Sequence, residues 1–237
     1  MSAPGAGPVP LRVVSYNVGS LRYDVAAVAE LLRGLEPDVA VIQEAPRRLR
    51  WRSRCAELAR RCGMVYAAGG QPALGNLVLT TYRVGLDETW CVQFPLTPGR
   101  HMRGAVFARC TVGPASFVVV GSHLATDPVE RPAQAAVLKR ELAAATAPVI
   151  LGADLNETPD GGSWRLVADG LCDPGGAAAA PTYPAPRAQR RIDAILTDPR
   201  VRVRDYRVVD TALSRRASDH FPVLAELSLE PGWTNRP

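Results

Sequence analysis

Residues 105–124 read AVFARCTVGPASFVVVGSHL. Two runs rich in valine and other apolar residues, Ala105–Val112 and Ser116–Leu124, flank a short break that contains Gly113 and Pro114. Such runs bounded by Gly/Pro signals are strands. A third run, GNLVLTTYRV at Gly75–Val84, lies upstream. Strand after strand from 75 to 124 implies antiparallel meanders, whereas a single doubly wound parallel sheet would need a helix after nearly every strand. Working outward, strands are expected at Leu11–Asn17, Asp38–Glu44 and Pro148–Asp154, and again at Ile192–Leu196, Val201–Val209 and Phe221–Leu229. Helices interleave. Asp24 is placed to cap VAAVAELLR, with Gly34 as its stop. Trp51–Cys62 is amphipathic and rich in arginine, and Pro128–Ala145 carries Pro132 in its first turn. Ser163–Ala168 is a short helix. The fold class is α/β: a four-layer sandwich of two packed, mainly antiparallel sheets flanked by helices.

The 237 residues suit one large domain, here residues 11–229, between a flexible segment at 1–10 and a tail at 230–237. With 47% hydrophobic residues a sizeable core is within reach. No apolar run is long enough to span a bilayer, and MSAPGAGPVP lacks the basic and apolar regions of a signal peptide. No membrane association, no obligate protein partner and a cytoplasmic location are therefore expected. Five cysteines, none in a CxxC arrangement, indicate free thiols rather than a disulfide framework or a thiolate zinc site. The formal charge is +5, carried by arginine except for Lys139. Arginine excess suits a phosphate-bearing partner, and it equally reflects bias toward Arg, Ala, Gly and Pro. The Gly/Ala/Pro-rich stretch Asp173–Arg190 is the longest loop.

Apolar strands that end in polar residues carry the functional signal. Leu11–Asn17 ends in Asn17, Asp38–Glu44 in Gln43 and Glu44, Ser116–Leu124 near His123, and Pro148–Asp154 in Asp154 with Asn156 just beyond. Asp193 lies within RRIDAIL, and Asp219 and His220 precede the last strand. One such residue is usually a turn residue; six endings together indicate a shared polar rim.

The ordered set SYNV, QE, GNLVLT, SHL, GADLNETP, RRIDAIL and SDHFPV closely resembles the endonuclease/exonuclease/phosphatase superfamily, from about Leu11 to Leu229. The resemblance implies a metal-dependent phosphoric ester hydrolase with the same four-layer sandwich. It implies Glu44 as the foremost metal ligand, supported by Asn17 and Asp219, with Mg²⁺ as the ion and Mn²⁺ as an acceptable substitute. His220 is implied as general base or electrostatic partner, its ring held by Asp193, and Asp154 as the group that orients or deprotonates water. These two share the proton-accepting role at this stage. Asn156 would hold a phosphoryl oxygen, and His123 would contact the phosphate or assist the leaving group. Asn76 would orient His123. Arg103 sits where relatives carry a phosphate-facing arginine, or is one more solvated arginine, and Tyr183 precedes the RRID segment as an aromatic that packs beside the substrate or covers the sheet edge. His101 and Glu157 are assigned to a loop and a turn.

The leading expectation is a divalent-metal-dependent phosphodiesterase, a nuclease on DNA or RNA. Arg47, Arg48, Arg50, Arg52 and Arg54 follow Glu44 and suit a phosphate backbone or a solvated helix face. Ala45 and Pro46 stand where AP endonucleases carry a lysine, which argues against abasic-site repair. Alternatives are a phosphatase or phosphodiesterase of a small metabolite, favoured by a closed pocket roofed by 173–190, and a catalytically inactive binding module. The complete polar set argues against the last.

Overall fold

The computed structural model describes residues 7–176 and 179–232. Parts of the expected terminal segments, 1–6 and 233–237, lie outside the described residues, as do 177–178 of the long loop. The elements run β1 (Val9–Asn17), α1 (Val25–Leu35), β2 (Val39–Gln43), α2 (Trp51–Arg61), β3 (Val65–Gly70), β4 (Asn76–Thr80), β5 (Gly85–Gln93) and β6 (Gly104–Val112). They continue with β7 (Ala115–His123), α3 (Arg131–Ala143), β8 (Val149–Asp154), α4 (Gly162–Ala168), β9 (Asp193–Thr197), β10 (Arg202–Val208), α5 (Ala212–Ala217) and β11 (Val223–Leu229).

Period-two alternation sorts the side chains of β1. Val13 faces the layer between the sheets, while Val14 and Tyr16 face the helices. The first sheet has order β10-β11-β1-β2-β4-β3, and the second β5-β6-β7-β8-β9. Only β1–β2 and β7–β8 pair parallel; the other ladders are antiparallel. Val39, Val41 and Val78 of the first sheet share one core with Val106, Phe117, Val119 and Ile150 of the second. Leu31 and Leu32 of α1, with Cys55 and Leu58 of α2, cover the outer face of the first sheet. Leu138 and Trp164, from α3 and α4, cover that of the second. Each such large side chain stabilises by roughly 1.5–3 kcal/mol on burial. The architecture is the α/β sandwich expected.

Some boundaries differ. β1 begins at Val9 rather than Leu11, because Val9 and Pro10 pair with Leu229 and Ser228. Asp24 does cap α1, accepting from the Ala27 amide at 2.9 Å. The helix runs through Gly34, however, because Leu35 still packs on the core; the turn comes at Glu36, with φ 47°. The meander also divides: β4 joins the first sheet, and β5–β6–β7 begin the second.

The two sheets approach closely at one point. Gly121 of β7 and Gly152 of β8 are register partners. A Cβ on Gly121 would meet Val41 Cγ1 at 2.8 Å, and one on Gly152 would meet Val41 Cβ at 2.9 Å and Ser15 Oγ at 3.0 Å. Gln43 bridges this contact, donating from Nε2 to Gly152 O at 3.3 Å and to Ser15 Oγ at 3.2 Å. His123 and Asp154 lie two residues further along each strand, so the close approach sets how near they come to β1 and β2.

Candidate active site

Strand register alone aligns the first three polar groups. His123 pairs with Asp154 across β7–β8, and Asp154 with Asp193 across β8–β9. On the other sheet Asn17 pairs with Gln43, and Glu44 follows. Asp219 and His220 arrive on the segment before β11. Asn17, Glu44, Asp154, Asp219, His220 and Tyr183 all line one cavity of about 330 Å³.

Asp154 is the hub. Its Oδ2 accepts from Asn17 Nδ2 at 2.9 Å, a bond that crosses between the sheets. Its Oδ1 accepts from the Asn156 amide at 2.9 Å. His123 Nε2 lies 3.2 Å from Oδ2, and His220 Nε2 lies 3.9 Å from it. Arg103 Nη1 is 3.1 Å from His123 Nδ1. An arginine can only donate, so Nδ1 accepts, and the neutral ring carries its proton on Nε2 toward Asp154. The Asn156 Nδ2 beside Nε2 donates instead to Leu124 O, at 2.9 Å. Both nitrogens of His123 are thus engaged by protein groups. His220 Nδ1 lies 2.9 Å from Asp193 Oδ2, leaving Nε2 toward the cavity. The Tyr183 ring sits 4.7 Å from the His220 ring, tilted by 41°.

Burial, then repulsion from Asp193, pushes the Asp154 carboxyl up to about 7. Burial, then the Arg103 charge, holds His123 well below the usual imidazole range. For His220 burial acts downward, but the charge and hydrogen bond of Asp193, together with the charges of Asp154 and Asp219, outweigh it and the ring is raised to about 10. The surroundings therefore favour a charged His220 ring, a neutral His123 ring and a proton on or near Asp154. Glu44 and Asn156 both adopt left-handed backbone, with φ 54° and 51°. Such conformations cost of order 1–3 kcal/mol in non-glycine residues, and they gather at functional sites.

One expectation needs correction. Asn76 does not touch His123 and is not on the cavity wall. Its amide donates to Ala73 O and Gly104 O at 2.8 and 2.9 Å, so it holds the start of β6. Arg103 lines the cavity, and it is this residue that orients His123. Glu157 accepts from the Trp164 amide in the first turn of α4, consistent with its exclusion. The sequence reading missed Ser218 and Thr182. Ser218 Oγ donates to Asn17 O at 2.7 Å. Thr182 Oγ1 accepts from the Ile192 and Asp193 amides at 3.1 and 3.2 Å. Both are buried hydroxyls beside quoted motifs, a signal that was visible but unweighted.

The residues fit a hard divalent cation. Glu44 and Asp219 supply carboxylates, and Asn17 Oδ1, which accepts from the Gly19 amide at 3.0 Å, keeps a second lone pair. The Asp154 carboxyl is raised by burial and by Asp193, and the nearby His220 ring offsets that only in part. Among the described residues, the ligand atoms of Asp154, Asp193 and His220 also lie within 4.8 Å of one another. In that group the Asp193–His220 ion pair already neutralises one carboxylate.

The profile of the Endonuclease/Exonuclease/phosphatase family matches residues 14–220. The chain belongs to this family. Endonuclease/exonuclease/phosphatase proteins are phosphoric ester hydrolases that depend on divalent metal, and this chain is an enzyme of that hydrolase class. No curated protein matches it. A mannosyl-6-phosphatase from Bacteroides thetaiotaomicron has a similar structure, with TM-score 0.76 and 18% identity over 92% of this chain and 99% of that one. The catalytic domain of human nocturnin, with bound sulfate, aligns with TM-score 0.73 and 17% identity over 92% and 94%. D. rerio TDP2 in complex with a single-stranded DNA product aligns with TM-score 0.69 and 20% identity over 92% and 98%. At these identities the likeness is one of fold. Among the described residues, no helix is long and apolar enough to cross a membrane.

Proposed function

We propose that this protein is a divalent-metal-dependent phosphodiesterase acting on nucleic acid. The observation that carries the reading is Asp154, buried at the junction of the two sheets. It is held by Asn17, His123 and the Asn156 amide, and it lies 3.9 Å from the His220 imidazolium. Glu44, Asp219 and Asn17 would hold Mg²⁺ or Mn²⁺, which when bound neutralises charge on the phosphoryl oxygens. Asp154, with its carboxyl near 7, is the group able to take a proton from an attacking water. His220 enters already protonated, so it acts as donor and electrostatic partner to the phosphoryl group rather than as base. Asp193 keeps its ring charged and oriented. His123, engaged at both nitrogens, positions Asp154. Asn156 lines the cavity and holds Asp154 through its backbone amide, and Tyr183 flanks the substrate over His220.

A second reading, hydrolysis of a small phosphate ester, is favoured by the limited volume of the cavity and by the placement of Tyr183 and Arg190, both from the end of the 173–190 loop, on its wall. Plasmid DNA, bis-p-nitrophenyl phosphate and p-nitrophenyl phosphate, offered in parallel with Mg²⁺, separate the two. The nuclease reading expects nicked plasmid and diester turnover, abolished by EDTA and lowered about 10²–10⁴-fold in His220→Ala. Turnover of the monoester alone would support the small-ester reading, and activity that survives EDTA would sink the metal mechanism.

A further inference from the structure

Beside the catalytic cavity lies a second one of about 500 Å³. The two are adjacent and share Arg22, Glu44 and Arg103 in their linings. The further wall of the second carries Arg47, Arg48, Arg54 and His101. Elsewhere the arginines of this protein are commonly paired: Arg12 with Glu226, Arg83 with Asp38, Arg100 with Asp127, Arg191 with Asp173 and Arg215 with Asp210. Arg22, Arg47, Arg48 and Arg54 form no ion pair among the described residues. The one carboxylate in this cavity, Glu44, accepts instead from Ser20 Oγ at 2.7 Å.

Two of these guanidinium groups are anchored without being neutralised. Arg47 Nη1 donates to Leu74 O at 3.0 Å and Met102 O at 3.2 Å. Arg22 Nε donates to Gly19 O at 3.0 Å. Carbonyl anchors fix direction yet leave the full charge and the remaining N–H groups for an incoming anion. Gly75, at φ +100°, gives the chain beside Arg47 a backbone turn that side-chain-bearing residues rarely adopt. Like charges gathered without counter-charges are unfavourable in the free protein, and a phosphate relieves that repulsion.

We propose that this wall is a subsite for a second phosphate group of the substrate, adjacent to the scissile one. The proposal rests on the phosphoric-ester-hydrolase reading of the neighbouring cavity and names the substrate class: an ester bearing at least two phosphates. A nucleic-acid backbone and a small ester with an additional terminal phosphate share that chemistry.

Arg48 and Arg54 are exposed, so their replacement spares the core. The test measures dissociation constants by calorimetry, in Mg²⁺ buffer, for wild type, Arg48→Glu/Arg54→Glu and Arg47→Ala. The probes are inorganic phosphate, methylenediphosphonate and a phosphorothioate-linked single-stranded oligonucleotide, none of which requires turnover. The variants are expected to weaken a two-phosphate probe about ten-fold more than inorganic phosphate. Loss confined to the oligonucleotide, with a salt slope shallower by roughly 0.7 for each contact removed, assigns a backbone phosphate. Loss confined to methylenediphosphonate assigns a terminal phosphate on a small ester. Equal loss for all three probes, or none, overturns the subsite. Since binding is read without catalysis, a selective loss in a protein that hydrolyses no ester would retain the subsite and defeat the hydrolase reading.

Discussion

Asp193 and His220 show how one buried contact sets a protonation state. Burial alone would strip His220 of its proton, yet the carboxylate 2.9 Å away reverses the outcome. Asp193→Asn keeps the shape and removes the largest raising charge, leaving burial opposed only by Asp154 and Asp219, so the His220 pKa should fall. An NMR titration of the imidazole is expected to show that fall, together with a loss of about 10²–10⁴-fold in kcat/KM. A His220 that still titrates near its wild-type position would remove Asp193 as the source of its charge. Arg103 and His123 work in the opposite sense: the guanidinium keeps the ring neutral and aims Nε2 at Asp154. The sequence shows Arg103 and His123 as separate candidates, and their direct contact comes only from the β6–β7 register.

At the scale of elements, the close approach at Gly121 and Gly152 predicts a marked asymmetry between two similar substitutions. Gly121→Ala meets one γ-methyl each of Val41 and Val106, which must shift within the core but leave the backbone and Ser15 untouched. Gly152→Ala meets Val41 Cβ and Ser15, which cannot turn aside, and should destabilise by about 1–3 kcal/mol. Urea unfolding of both variants checks this, with Gly152→Ala also losing activity as Asp154 moves away from Asn17. Equal, small effects would mean that the sheets part easily. The strands that carry the site were legible because they are apolar runs ending in a polar residue. Those missed lacked that contrast. β5 is an edge strand whose side chains are mostly exposed, β3 is VYAAGG with little apolar bulk, and α5 spans only Ala212–Ala217 behind a Thr211–Ser214 capping box. The polar residues that line the cavity were legible as types and order. Asn76 was misplaced because its position in a strand says nothing about which neighbouring strand its amide will meet.

For the whole molecule, two buried groups predict how stability follows pH. Asp154 is raised from 3.8 to about 7 and His220 from 6.5 to about 10. Each binds its proton more tightly folded than unfolded, so each contribution is complete below the unfolded value and lost as pH rises through the folded one. In metal-free protein the Asp154 loss falls between about pH 4 and 7, where it is partly offset by His123, whose lowered pKa adds stability as pH rises toward 6.5, and the His220 loss falls between about 6.5 and 10. Denaturant titrations across that range with EDTA, and again with Mg²⁺, read both. Bound cation favours ionised Asp154, so Mg²⁺ should flatten the first decline, and a metal-free protein that gains stability toward alkali would contradict the ionisation states described above.

The second sheet is assembled entirely from residues 85–197, one unbroken stretch, while the first is built from the chain on either side. His123, Asp154, Asn156 and Asp193 therefore travel together as a single segment. Asn17, Glu44, Asp219 and His220 stay with the flanks. Recombination between relatives at the edges of that segment would exchange half of the polar rim as a cassette. Because Gly121 and Gly152 meet Val41 and Ser15 across the seam, a hybrid is expected to work only when the donor cassette brings small residues at both positions.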